Sequence, residues 1–146
     1  MHVIHATAVD DVLQRWADAW NAHDSDGIRA LFAPDCVYED VTYGVVCRGP
    51  GEVRAFAEGV FKRIPDFTID VKHGFATARR GALEYVMSGT REPGEPGRSW
   101  SFSVRGVTVV ELRDGLIVRN SDYWDAATVA RQNTAVAAPL TPFMDT

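Results

Sequence analysis

Apolar positions recur at helical spacing in three stretches of the first half of the chain, then at alternating spacing through the second half. Val9, Val12, Leu13, Trp16 and Trp20 mark the first helix, one apolar face carrying two indoles. Its start is a capping-box pattern, Thr7-Ala8-Val9-Asp10, with Asp10 and Asp11 suited to the positive end of a helix, and its end falls near Asn21 to His23. A short second helix, capped by Asp24 or Ser25, is expected through Ile28, Leu31 and Phe32, closed by Pro34. Cys36 to Val41 reads as a short strand with Cys36, Tyr38 and Asp40 on one face. After a Tyr43-Gly44 turn, Val45 to Cys47 returns as a hairpin arm. Gly49-Pro50 puts proline near the first position of a third helix, where its missing N–H costs little; Val53, Phe56, Ala57, Val60 and Phe61 form the buried stripe, and Pro65 stops it.

From residue 67 the period falls to two. Phe67, Ile69, Val71, His73 and Phe75 alternate with Thr68, Asp70, Lys72 and Gly74, a half-buried strand with a histidine on its apolar face. Leu83 to Thr90 is the next strand, Glu92 to Gly97 a loop by composition, and Trp100 to Leu112 a long strand. The even face of that strand is apolar, but Val107 and Val109 lie on the odd face, which a second protomer or a helix of the same chain would cover. After Asp114-Gly115, the stretch Leu116 to Asp125 places Leu116, Val118, Asn120, Asp122 and Trp124 on one side and Ile117, Arg119, Ser121 and Tyr123 on the other. Ala126 to Gln132 is a short helix, and the rest, with Pro139 and Pro142, reads as a tail. These elements predict an α+β class: one domain over 1–132 with three helices packed on a strongly curved, mostly antiparallel sheet, and a tail over 133–146.

Composition adds exclusions. A net charge of −5 with thirteen scattered arginines and two lysines argues against a nucleic-acid partner, which needs a massed basic face. No apolar run approaches the ~18 residues of a membrane span, and the start lacks the basic and apolar regions of a secretion signal, so a cytoplasmic chain with no membrane partner is expected. Cys36 and Cys47 fit free thiols, and His2, His5 and His23 offer no metal-ligand set; no metal and no cofactor are expected.

A curved sheet capped by helices makes a cone with a pocket inside. The inward set predicted from parity is Trp16, Trp20, Tyr38, Asp40, Phe56, His73, Trp100, Phe102, Thr108, Asp122 and Trp124, an aromatic lining with a few polar groups, suited to a flat small molecule. Asp122 is the first catalytic candidate. Burial beside Val118 and Trp124 would raise its pKa toward neutrality, where a general base works best; the alternative is a carboxylate bonded for structure alone. Asp40 is a second acid or base facing it, or else a turn aspartate before Tyr43-Gly44. His73 is a proton relay, or a satisfied core histidine.

Several short segments, in order, resemble the SnoaL-like polyketide cyclases of the nuclear-transport-factor-2-like superfamily. They are Trp20-Asn21-Ala22-His23-Asp24, Leu31-Phe32-Ala33-Pro34-Asp35, Tyr38-Glu39-Asp40, Arg48-Gly49, Ser88-Gly89-Thr90 and Asp122-Tyr123-Trp124-Asp125. The resemblance spans about residues 8–132 and implies a cone-shaped barrel. It also implies a homodimer and a final-strand aspartate, here Asp122, that removes a proton next to a carbonyl. Those cyclases carry a histidine on the preceding strand, where this chain has Thr108. The related ketosteroid isomerases place their base in a pair like Glu39-Asp40, but their oxyanion-binding groups fall near Trp16 and Thr108. The similar limonene-epoxide hydrolases share Tyr38 and the Asp122 segment, yet require an arginine and an aspartate where Leu83 to Ser88 supply neither.

The functional expectation is a cofactor-independent cyclase or isomerase for a carbonyl-bearing, polycyclic or aromatic small molecule. Epoxide opening or dehydration in the same pocket, and a non-catalytic binding module, stand as alternatives.

Overall fold

The computed structural model describes residues 3–4, 11–91 and 99–133. Its elements run β1 (Val3–Ile4), α1 (Asp11–Asn21), α2 (Ser25–Arg29), β2 (Phe32–Asp40), β3 (Val45–Arg48) and α3 (Pro50–Arg63). Then follow β4 (Thr68–Ala76), β5 (Arg80–Arg91), β6 (Trp100–Arg113), β7 (Leu116–Trp124) and α4 (Ala126–Gln132). The expected capping box, the loop over residues 92–97 and the tail from residue 134 lie outside the described residues. The strands form one seven-stranded sheet in the order β1-β4-β5-β6-β7-β2-β3. Its pairs are antiparallel except β1 with β4 and β2 with β7, so the mixed α+β class predicted from the pattern is the class observed.

The parallel β2–β7 pairing decides where the site falls. It sets Asp40 opposite Asp122 and Tyr38 opposite Asn120, so polar residues from both strands converge on one face. Asp114 and Gly115 both take positive φ, 52° and 77°, in the two-residue hairpin that returns β6 into β7.

Helix α1 buries Val12, Leu13, Trp16, Ala17 and Trp20, the face expected from its spacing. A large apolar side chain moved from water into such a core contributes on the order of 1.5–3 kcal/mol. Helix α2 is shorter than predicted and ends at Arg29, so Phe32 and Pro34 belong to β2. The cause is tertiary: the amide of Ile117 donates to the Leu31 carbonyl at 2.9 Å, drawing this segment along β7. Pro34 is exposed at the irregular stretch between Phe32 and Val37, where a missing donor is tolerated. Pro50 opens α3 as expected, and Val53 and Ala57 are its fully buried residues.

Two β-bulges overturn parity predictions. On β4, Val71 and His73 oppose the consecutive residues Tyr85 and Glu84, so Lys72 is an extra residue. Beyond it the inward and outward positions exchange: His73 is exposed and Phe75 is 63% exposed, both on the outer face. On β7, Arg119 and Ile117 oppose the consecutive residues Glu111 and Leu112, leaving Val118 as the extra residue. Ile117 therefore enters the core, while Leu116 and Val118 are only half-buried. The even face of β6 is buried as predicted. Helix α4 packs Val129 against Phe102 and Val104 on that same face, and Val109 on the odd face stays 41% exposed. Among the described residues, no helix is long and apolar enough to cross a membrane.

Candidate active site

Inside the curl of the sheet lies a cavity of about 180 Å³. Trp16 and Trp20 enter it from α1, Phe56 from α3, Tyr38 and Asp40 from β2, Phe102 from β6, and Asp122 and Trp124 from β7. Of the eleven residues expected there, these eight line it; His73, Trp100 and Thr108 do not. His73 is removed by the β4 bulge. Trp100 packs against Phe102, with ring centroids 6.4 Å apart, in a separate cluster, and the Arg91 guanidinium lies over its indole at 6.0 Å. Thr108 is fully buried behind Asp122, in contact with that carboxylate rather than with the cavity.

Asp122 is 8% exposed and receives three neutral donors. The Thr108 hydroxyl, directly opposite on β6, donates to Oδ1 at 2.7 Å, and Asn120 Nδ2 donates to the same oxygen at 2.8 Å. The Tyr38 hydroxyl donates to Oδ2. Two of the donors are themselves positioned. The Trp16 indole N–H donates to Asn120 Oδ1 at 3.1 Å, which fixes which end of the amide faces the carboxylate. The Tyr85 hydroxyl lies 2.9 Å from Thr108 Oγ1; since the threonine proton is committed to Asp122, the tyrosine donates. Gly106 makes room for that ring, because a Cβ there would stand 2.8 Å from Tyr85 Cε1.

Burial disfavours the Asp122 anion and pushes its pKa up to about 6; the bonds from Tyr38, Thr108 and Asn120 pull it down, and the nearby Asp40 adds to the rise. The Tyr38 and Tyr85 phenols are held well above their ordinary value, first by burial and then by the charge of Asp122, so both keep their protons at neutral pH. The site thus holds a base that titrates near neutrality among hydroxyl donors that do not.

Asp40 is 7% exposed and lies between the cavity and a turn. Its Oδ2 accepts from the Trp124 indole at 3.2 Å on the cavity side, and its Oδ1 accepts from the Tyr43 amide at 3.1 Å in the turn that follows β2. The sequence reading missed Tyr85, although alternation with Leu83 and Met87 marks it as inward. It also gave no role to Asn120. Arg63 and Arg91, which reach the lining from the ends of α3 and β5, had no local signal. Among the described residues no group of three or more histidine, cysteine, aspartate or glutamate side chains could hold a metal ion. Cys36 and Cys47 are buried free thiols.

A family model, the SnoaL-like domain, matches residues 13–120. No curated protein matches the chain. Solved structures do. A protein of Silicibacter sp. TM1040, provisionally assigned as a polyketide cyclase, is 28% identical with a TM-score of 0.68, over 82% of this chain and 90% of that one. IdmH of Streptomyces antibioticus, with the same provisional assignment, is 24% identical with a TM-score of 0.74, over 86% and 98%. A provisionally assigned SnoaL-like polyketide cyclase of Shewanella denitrificans OS-217 is 18% identical with a TM-score of 0.78, over 87% and 97%. At such identities the last two establish the fold alone, the nuclear-transport-factor-2-like cone.

Proposed function

From the premise that the chain belongs to the SnoaL-like domain family, we propose that it is a cofactor-independent cyclase or isomerase whose general base is Asp122. The observation that carries this reading is a nearly buried carboxylate, at an aromatic cavity, held only by neutral donors among the described residues. A cationic partner would have fixed the anion and weakened it as a base; neutral donors orient it and leave its pKa near 6.

The substrate is a carbonyl compound with an aromatic or polycyclic body. Asp122 takes the proton from the carbon next to the carbonyl: the C–H bond breaks, an O–H bond forms on the carboxylate, and the electron pair moves to the carbonyl oxygen. Protonation of Oδ2 releases the Tyr38 hydroxyl, which turns its hydrogen toward the developing enolate oxygen. Return of the proton to a different carbon completes an isomerisation; attack of the enolate carbon on a second carbonyl completes a ring closure. Asp40, beside Trp124, is the second acid or base of the pocket. Epoxide opening is less well supported, because β5 turns Leu83, Tyr85 and Met87 inward and none of them can pair a second carboxylate with a cation. The homodimer belongs to this reading as well, with the outward Phe75, Val109 and Tyr123 as its contact face, and sedimentation of the purified chain tests it.

The test uses 2-tetralone, an enolisable fused-ring ketone, in deuterated water, with exchange at the carbon beside the carbonyl followed by NMR. Catalysed exchange is expected from the native chain and a loss of at least about 100-fold from a folded Asp122→Asn variant. Unchanged exchange in that variant removes Asp122 from the role of base.

A further inference from the structure

The charged residues lining the cavity differ in their exposure. Its two carboxylates, Asp40 and Asp122, are both buried. The cationic side chains lining it are Arg63 and Arg91, the first exposed and the second half-buried, so positive charge sits toward solvent. A seam joins the chain just after α3 to β5. Asp66 accepts from the Thr90 amide at 2.8 Å and from its hydroxyl at 2.7 Å, and Gly89 lies against Ile64, where a Cβ would meet Ile64 Cγ2 at 2.3 Å. Arg63 immediately precedes Ile64, and Arg91 immediately follows Thr90, so the seam delivers one arginine from each side.

No carboxylate of the described residues pairs with either arginine. Among the described residues Arg63 has no ion-pair partner, and Arg91 donates to the Tyr43 hydroxyl at 3.2 Å while resting over Trp100. Asp66, the acid nearest Arg63 in sequence, is occupied by Thr90, whose bonds hold its carboxyl below the usual range. Guanidinium groups at the edge of an apolar cavity suit a planar anion.

We infer that the Arg63–Arg91 rim selects substrates carrying a carboxylate at the end remote from the reacting carbonyl. This deepens the cyclase or isomerase reading by naming a substrate class, and it rests on the cavity being the substrate site but not on Asp122 being the base. The chain would then hold an amphipathic aromatic keto acid, its ring among the indoles and phenyl groups, its carbonyl near Asp122 and Tyr38, and its carboxylate between the arginines.

Binding of three ligands, read by quenching of tryptophan fluorescence, tests the inference. They are 2-tetralone, the same ketone with a carboxylate on its aromatic ring, and the same ketone with that carboxylate on a one-methylene spacer. At least one acid is expected to bind about tenfold more tightly than the neutral ketone. Arg63→Gln should lower that preference several-fold, and Arg91→Gln likewise, while leaving 2-tetralone within about twofold. Arg91→Lys keeps a charge over Trp100 and guards against loss of packing in the glutamine variant. No preference for either acid, or a preference unmoved by Arg63→Gln and Arg91→Gln, overturns the inference. Because this readout needs no turnover, a failed deuterium exchange and a failed acid preference are separate results.

Discussion

The Tyr38 hydroxyl on β2 donates to Asp122 Oδ2 on β7, across 84 residues of sequence, because the two strands run parallel in a register that sets Asp40 opposite Asp122. That pairing adds Tyr38 to Thr108 and Asn120 as the donors that orient the carboxylate and keep it titratable. A buried carboxylate without donors would stay protonated through neutral pH, and one facing a cation would stay charged.

If Asp122 must be ionised to act, kcat/KM should rise with pH through a midpoint near 6 and level off above it. Initial rates of tetralone exchange between pH 4.5 and 8 check this. A flat profile across that range would remove the link between the titration and the chemistry.

The midpoint should move in opposite directions in two variants. Tyr38→Phe removes a donor that favours the anion, so the midpoint rises above 6; Asp40→Asn removes a negative neighbour, so it falls. NMR titration of the carboxyl carbon measures both without any substrate.

The same group sets a pH dependence of stability. Its folded pKa of about 6 lies above the ordinary aspartate value of 3.8, so the folded chain binds the proton more tightly than the unfolded one. The resulting stabilisation is fully present below about pH 4 and is lost as pH rises through about 6, on the order of 3 kcal/mol in all. Urea unfolding at several pH values should show this loss in the native chain, and Asp122→Asn should flatten it.

Gly106→Ala should destabilise by about 1–3 kcal/mol, because the new Cβ meets the Tyr85 ring, whose hydroxyl is tied to Thr108. Displacing Tyr85 also strips Thr108 of its donor. Thermal melting reads the first effect, and a shift of the Asp122 titration reads the second.

His73→Ala should leave exchange activity within about twofold of native and change stability by less than about 0.5 kcal/mol, as expected for an exposed position away from the cavity. A loss like that of the Asp122 variant would place the histidine in the chemistry after all.

Much of the molecule was legible in the sequence, because local periodicity reports which face of an element is buried. The α1 stripe with Trp16 and Trp20, the proline start of α3, the even face of β6 and the shared face of Asn120, Asp122 and Trp124 are all local patterns. The segments resembling a known family carried the cone fold. What local pattern could not carry is register. One extra residue, Lys72 in β4, moved His73 from the predicted cavity to the surface, and Val118 in β7 exchanged Leu116 for Ile117 in the core. Period-two reasoning assumes an unbroken ladder, and a bulge arises from strand pairing rather than from the residue that bulges. The donors around Asp122 come from β2, β6 and β7, and the two rim arginines come from α3 and β5. Sequence therefore determined most of the elements and the carboxylate at their centre, though not β1 or the end of α2. Only the tertiary structure decided which hydroxyls, amides and cations share its space, because those neighbours meet through strand order and curvature.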